Sequence, residues 1–206
     1  MTIIQLIFLL LLIPFFSEPK AVPATTDSIE IPADVCLNPA EFALFNQLND
    51  YRQANALPPI ALSRSLTLVA QVHCRDLAIN RPHQRDSCNM HSWSRNNNWS
   101  ACCYTGDHKR AACMWSKPRE LSNYQGDGFE IAFHTTAPFI NAGKLAAEAM
   151  DSWKKSKGHN DVMVNRGTWK NIKWEAVGVG YYGGYATIWF GMEPDPDSTE
   201  VTVCQQ

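Results

Sequence analysis

The chain has 206 residues, 45% apolar and 18% charged, with 18 Lys and Arg against 20 Asp and Glu and a net charge of −2. No basic excess is available to grip a phosphate backbone, so nucleic acid is not an expected partner. The apolar and aromatic content excludes a disordered chain, and the length suits a single domain with its own core.

The first element is an apolar run from Ile3 to Phe16, interrupted only by Gln5 and Pro14. It is shorter than the about 20 residues that span a bilayer, and it fits a secretory signal. Small residues at Val22-Pro23-Ala24 place the cut after Ala24, giving a signal peptide over 1–24. No Lys or Arg precedes the run, which keeps an uncleaved anchor open as the alternative. No later stretch is apolar enough to span, so the chain is expected to be secreted and extracellular, not membrane-spanning. Residues 25–38 read as a polar leader, 39–193 as the folded domain and 194–206 as an acidic tail.

Within the domain, Asn38 and Pro39 form a helix start, and Phe42, Phe45, Leu48 and Tyr51 follow at helical spacing to Ala54. Asn55 and the Leu57-Pro58-Pro59 turn stop it. A second helix fits Ser63 to Ile79, with Leu66, Leu68, Val69, Val72 and Leu77 near one face. From Pro82 to Asp127 no period is visible, and a long loop region pinned by disulfides is expected. Glu130 to His134 fits a short strand. Ala142 to Lys157 fits a third helix, with Leu145, Ala146, Ala149, Met150 and Trp153 inward and Gly158 as its stop. Val162 to Val164 follow as a turn or short helix. Ala176–Tyr182 and Tyr185–Met192 flank Gly183-Gly184 and read as a hairpin. Trp153, Trp174 and Trp189 are expected in the core. Trp93, Trp99 and Trp115 lie in the loop region, where core and binding roles both stay open.

Seven Cys residues suit an oxidising compartment, and no CxxC suggests structural zinc. The pairing expected is Cys36–Cys204, Cys74–Cys88, and Cys113 with Cys102 or Cys103. The odd thiol leaves a monomer or a covalent dimer open. Six His residues are present. His91 stands in Cys-Asn-Met-His-Ser-Trp and His159 in Trp-Lys-Lys-Ser-Lys-Gly-His-Asn, with Glu130 between them in sequence. Two imidazoles and a carboxylate can bind Zn²⁺, or do acid–base work, or be ordinary hydrogen-bonded residues.

Five segments in order carry a family resemblance. They are Leu48-Asn49-Asp50-Tyr51-Arg52 with Leu57-Pro58-Pro59-Ile60; Met90-His91-Ser92; Gly128-Phe129-Glu130-Ile131-Ala132; Ser152-Trp153 through Ser156-Lys157-Gly158-His159; and Val177–Tyr181 with Trp189-Phe190-Gly191. Over roughly Phe42 to Gly191 the chain resembles the CAP superfamily, which includes cysteine-rich secretory proteins, antigen five and plant pathogenesis-related proteins. The resemblance implies an α+β fold, a three-layer α-β-α sandwich with a small, mainly antiparallel sheet. It also implies a cleft with two His and two acidic residues. His91, Glu130 and His159 carry over as candidate metal ligands, with Zn²⁺ the expected ion. The second acidic position holds Ser156, which disfavours Ca²⁺. The function implied is extracellular binding of a lipid, sterol or glycan. The alternative is a hydrolase, metal-assisted or built on Ser156, His159 and Glu130.

Overall fold

The computed structural model describes residues 29–137 and 141–205, so the signal segment expected at 1–24 lies outside the described residues. Helix α1 spans Pro39–Ala54 and starts on a capping box. The Asn38 side chain accepts from the Ala40 and Glu41 N–H groups, while the Glu41 carboxylate accepts from the Asn38 N–H. The buried face of α1 is Ala40, Glu41, Leu44, Leu48, Asn49 and Arg52. It is therefore turned from the face expected through Phe42, which is 44% exposed. The polar members of this face are buried because each finds partners. Asn49 exchanges hydrogen bonds with the Ile60 backbone, and Arg52 donates to the Pro58 and Met163 carbonyls.

Helix α2, Arg64–Ile79, buries Leu66, Leu68, Val69, Val72 and Leu77 as its spacing predicts. The loop region from Pro82 to Asp127 contains two short helices, α3 at Ala112–Trp115 and α4 at Lys117–Leu121. Isolated bridges pair Cys88 with Thr105 and Trp93 with Cys102. Strand β1 runs Gly128–His134, and α5 runs Ala142–Lys155. Helix α5 stops at Ser156, whose backbone is extended at φ −90° and ψ 114°. Helix α6, Lys157–Met163, then begins at once and includes Gly158. The stop expected at Gly158 is thus two residues early, and the break belongs to Ser156.

Strands β2, Ala176–Tyr182, and β3, Tyr185–Gly191, form the expected hairpin, with positive φ at both Gly183 and Gly184. The sheet is antiparallel throughout in the order β1-β3-β2. Period-two alternation sends Ile131, Val177, Val179, Ile188 and Phe190 into a core shared with α1, α5 and α6. The opposite face carries Trp189 and Thr187 towards α2. A Cβ on Gly178 would lie 2.0 Å from the Leu66 carbonyl carbon, so α2 rests directly on the β2 backbone. The result is helices on both faces of a small sheet, an α+β architecture.

The disulfides are Cys36–Cys204, Cys102–Cys113 and Cys88–Cys103. The Cys74–Cys88 pair expected from sequence is not formed. Cys74 sits on α2 beneath β3, with its sulfur 3.6 Å from the Thr187 hydroxyl, and is free and fully buried. Burial pushes its thiol pKa up. The odd thiol is therefore no handle for a covalent dimer. Among the described residues no helix is long and apolar enough to cross a membrane.

Candidate functional site

Glu130 projects from β1 on the α2 side of the sheet, opposite Trp189 in the register. There it meets His73 of α2, and one carboxylate oxygen, Oε1, bonds to His73 Nδ1. The other oxygen, Oε2, lies 2.7 Å from His91 Nδ1. His91 is held by the loop after Cys88, where its N–H donates to the Asn89 side chain. The Cys88–Cys103 bond and the Trp93–Cys102 bridge fix that loop. His73 stacks on Trp93 with ring centroids 4.2 Å apart and planes 6° apart, and meets Trp189 edge-on.

The partners fix the protons. His73 Nε2 lies 3.0 Å from the Ser92 carbonyl oxygen, which can only accept, so Nε2 carries a hydrogen. Glu130 and His73 are both fully buried at the side chain. Burial alone would raise the carboxyl pKa, but the charge and hydrogen bond of His73, then those of His91, outweigh it and hold Glu130 down at about 2. Burial alone would lower His73; the Glu130 carboxylate and the Ser92 carbonyl outweigh it and raise the imidazole above its ordinary value. The Glu130 carboxylate and the Ser92 carbonyl thus stand against the two ring nitrogens of His73, an arrangement that favours the charged imidazole. His91 donates Nδ1–H to Glu130, which leaves Nε2 without a protein partner among the described residues.

His91 lines a cleft of about 500 Å³ at the β1 edge, between β1 and the α5–α6 junction. Its lining includes the polar residues His91, Tyr104, His108, Ser156 and His159 and the apolar residues Trp115, Phe129, Ile131, Val162 and Trp169. Phe129 links the aromatic residues of the lining, its centroid 5.5 Å from Trp115 and 5.1 Å from Trp169. Burial and then the nearby His91 lower the His159 pKa.

The structure thus joins His91 to Glu130 directly and brings Ser156 and His159 to the same cleft. No hydrogen bond links Ser156 to His159, or His159 to Glu130, among the described residues. Likewise, among those residues no group of three His, Cys, Asp or Glu side chains could hold a metal ion. Both Glu130 oxygens accept from imidazoles, Oε1 from His73 and Oε2 from His91.

Trp153, Trp174 and Trp189 are core residues, and Trp93 and Trp99 are buried too. Of the loop-region Trp residues, Trp115 alone reaches the cleft. Sequence reasoning missed His73, Tyr104, His108 and Trp169. His73 sits at an inward position of α2, and its polarity within an apolar face was the available signal. His108 is exposed at the rim, with its Nδ1 2.8 Å from the Tyr104 hydroxyl.

The profile of the cysteine-rich secretory protein family, CAP, matches residues 45–191. The chain belongs to the CAP family. Among solved structures, this CAP chain is similar to an extracellular protein containing an SCP domain from Bacillus anthracis str. Ames, at 17% identity and a TM-score of 0.47. The alignment covers 75% of this chain and 40% of that one, so the CAP chain matches less than half of that protein. No curated protein matches the chain.

Proposed function

We propose that the chain is an extracellular binding protein whose cleft takes a ligand with an apolar part and a polar part. The observation that carries this reading is the mixed lining of the cleft, which joins three imidazoles to Trp115, Phe129 and Trp169. Its volume of about 500 Å³ falls in the range of small-ligand sites. Membership of a secretory family and three disulfides support export. Lipids, sterols and glycans are the first probes, since each offers an apolar chain or ring face to Trp115 and Trp169.

Tryptophan fluorescence titrated with cholesterol, a lysophospholipid and chitotriose tests this reading. Saturable binding is expected, weakened about tenfold by Trp169→Ala. A titration with no saturation for any ligand class, peptides included, refutes the binding reading.

A hydrolase is the second reading, favoured by the bond between His91 and Glu130. A base oriented by a buried carboxylate is two-thirds of a nucleophile–base–orienter set. His91 Nε2 would take a proton from water or from the Ser156 hydroxyl, and Glu130 would stabilise the imidazolium formed. Turnover of an ester or peptide substrate, lost by about 10²-fold or more in His91→Ala, would establish this chemistry. Zinc binding would rest on His91 and His159, with Glu130 and water as the further ligands. Calorimetry of the protein beside a His91→Ala/His159→Ala variant tests that site: saturable one-site binding, lost in the variant, is its signature.

A further inference from the structure

Strand β1 is an edge strand, and the register fixes which of its backbone groups face outward. Thr135 N–H donates to the Gly184 carbonyl across the β1–β3 pair. Odd-numbered β1 residues therefore face β3, and Gly128, Glu130, Ala132 and His134 turn their N–H and C=O groups away. The bond from Trp153 Nε1 to the Ala132 carbonyl follows the same parity and covers the edge at that point. At the other end Pro118 packs on the face of Gly128, where an added Cβ would meet its ring at 2.6 Å.

Glu130 lies between these two contacts. Its side chain is fully buried, yet the residue keeps 7% exposure, so the surface it offers is backbone. Glu130 also lines the cleft, between Phe129 and Ile131. Among the described residues no hydrogen bond engages its N–H or its C=O. A donor and an acceptor, side by side on a strand edge, thus open into a cleft.

We propose that this edge binds one residue of an extended peptide, paired antiparallel with β1. The proposal rests on the cleft being a ligand site, and it names the ligand class. A peptide residue opposite Glu130 offers one C=O to the Glu130 N–H and one N–H to the Glu130 C=O. A sterol or acyl chain lying there dehydrates both groups and satisfies neither. The pleat then assigns the side chains. The residue opposite Glu130 points to the Glu130 side of the sheet, where His91 stands. Its two neighbours point to the side of Phe129 and Ile131, where Trp169 packs on Phe129. The segment recognised is therefore apolar–polar–apolar, and the Trp153 bond to the Ala132 carbonyl ends the pairing on that side.

The test uses blocked tripeptides with Phe, Trp or Leu at the outer positions and Ser at the centre. Each is compared with a form N-methylated at the central residue and a form N-methylated at the third. Affinity is read by tryptophan fluorescence and the Glu130 amide by proton–nitrogen NMR. Saturable binding is expected, with a downfield shift of the Glu130 amide proton. Central methylation weakens it about tenfold, and methylation of the third residue, whose N–H points away from β1, changes it little. Equal effects of the two methyl groups, or none, overturn the strand pairing and leave the cleft reading standing. Binding of cholesterol or chitotriose without any peptide overturns this proposal alone. Failure of every probe overturns both.

Discussion

Two buried glutamates sit at opposite edges of the same sheet and carry opposite charge behaviour. Glu41 lies at the β2 edge, where its carboxylate accepts from the Tyr181 N–H, the Asn38 N–H and the Gln71 amide. All three are neutral donors, and burial wins: its pKa is pushed up to about 7. Glu130 lies at the β1 edge and is buried too, but its partners are two imidazoles, and its pKa falls to about 2. Burial does not set the charge of a carboxyl; the charge of its partners does. The edges differ in the same way. At β2 the outward groups of Val177 are taken by Ala61 and Ser63 and the Tyr181 N–H by Glu41, whereas among the described residues no hydrogen bond engages the Glu130 backbone on β1.

The strongest way to break this comparison is Glu130→Ala. It strands the His73 imidazolium in the interior, and a stability loss of about 3–5 kcal/mol is expected by urea denaturation. A loss below about 1 kcal/mol would show that His73 is neutral. Trp153→Phe comes next. It removes the donor to the Ala132 carbonyl and is expected to cost about 1–3 kcal/mol in the same assay. Glu41→Gln should cost about 1 kcal/mol and also change a slope. Because Glu41 titrates at about 7 in the folded chain against an ordinary 4.5, the folded state holds that proton more tightly. Its contribution to stability therefore falls as pH rises from about 4.5 to about 7 and is flat above. Melting temperature against pH should lose that slope in Glu41→Gln. Glu130 contributes in the opposite direction, with its stabilisation full above 4.5 and lost as pH falls towards 2. The smallest effect is expected for His91→Ala, about 1 kcal/mol or less. The His91 side chain is partly exposed, and water can replace it at Glu130 Oε2.

Much of the fold was legible because apolar spacing reports packing. Leu145, Ala146, Ala149, Met150 and Trp153 are the buried residues of α5, as their period predicts. The same logic misplaced the face of α1. Periodicity counts apolar residues, and it cannot see that Glu41, Asn49 and Arg52 find polar partners far along the chain. Arg52 reaches Met163, for example, and Glu41 reaches Tyr181. In the site, His91, Glu130 and His159 stood in recognisable local sequences. His73 did not, because its role comes from a residue 57 positions away. The helix break at Ser156 was missed for a similar reason. Gly158 is the better stop by propensity, yet it continues α6.

The Cys36–Cys204 bond joins positions separated by 168 residues. Beside it Leu37 N–H donates to the Thr202 carbonyl, and Cys204 N–H donates to the Leu37 carbonyl. Tension applied at the two ends of the described chain passes through that sulfur bridge and bypasses the sheet. Held by one end and pulled by the other, the molecule carries the load at its clasp, and the cleft keeps its shape until that clasp is reduced.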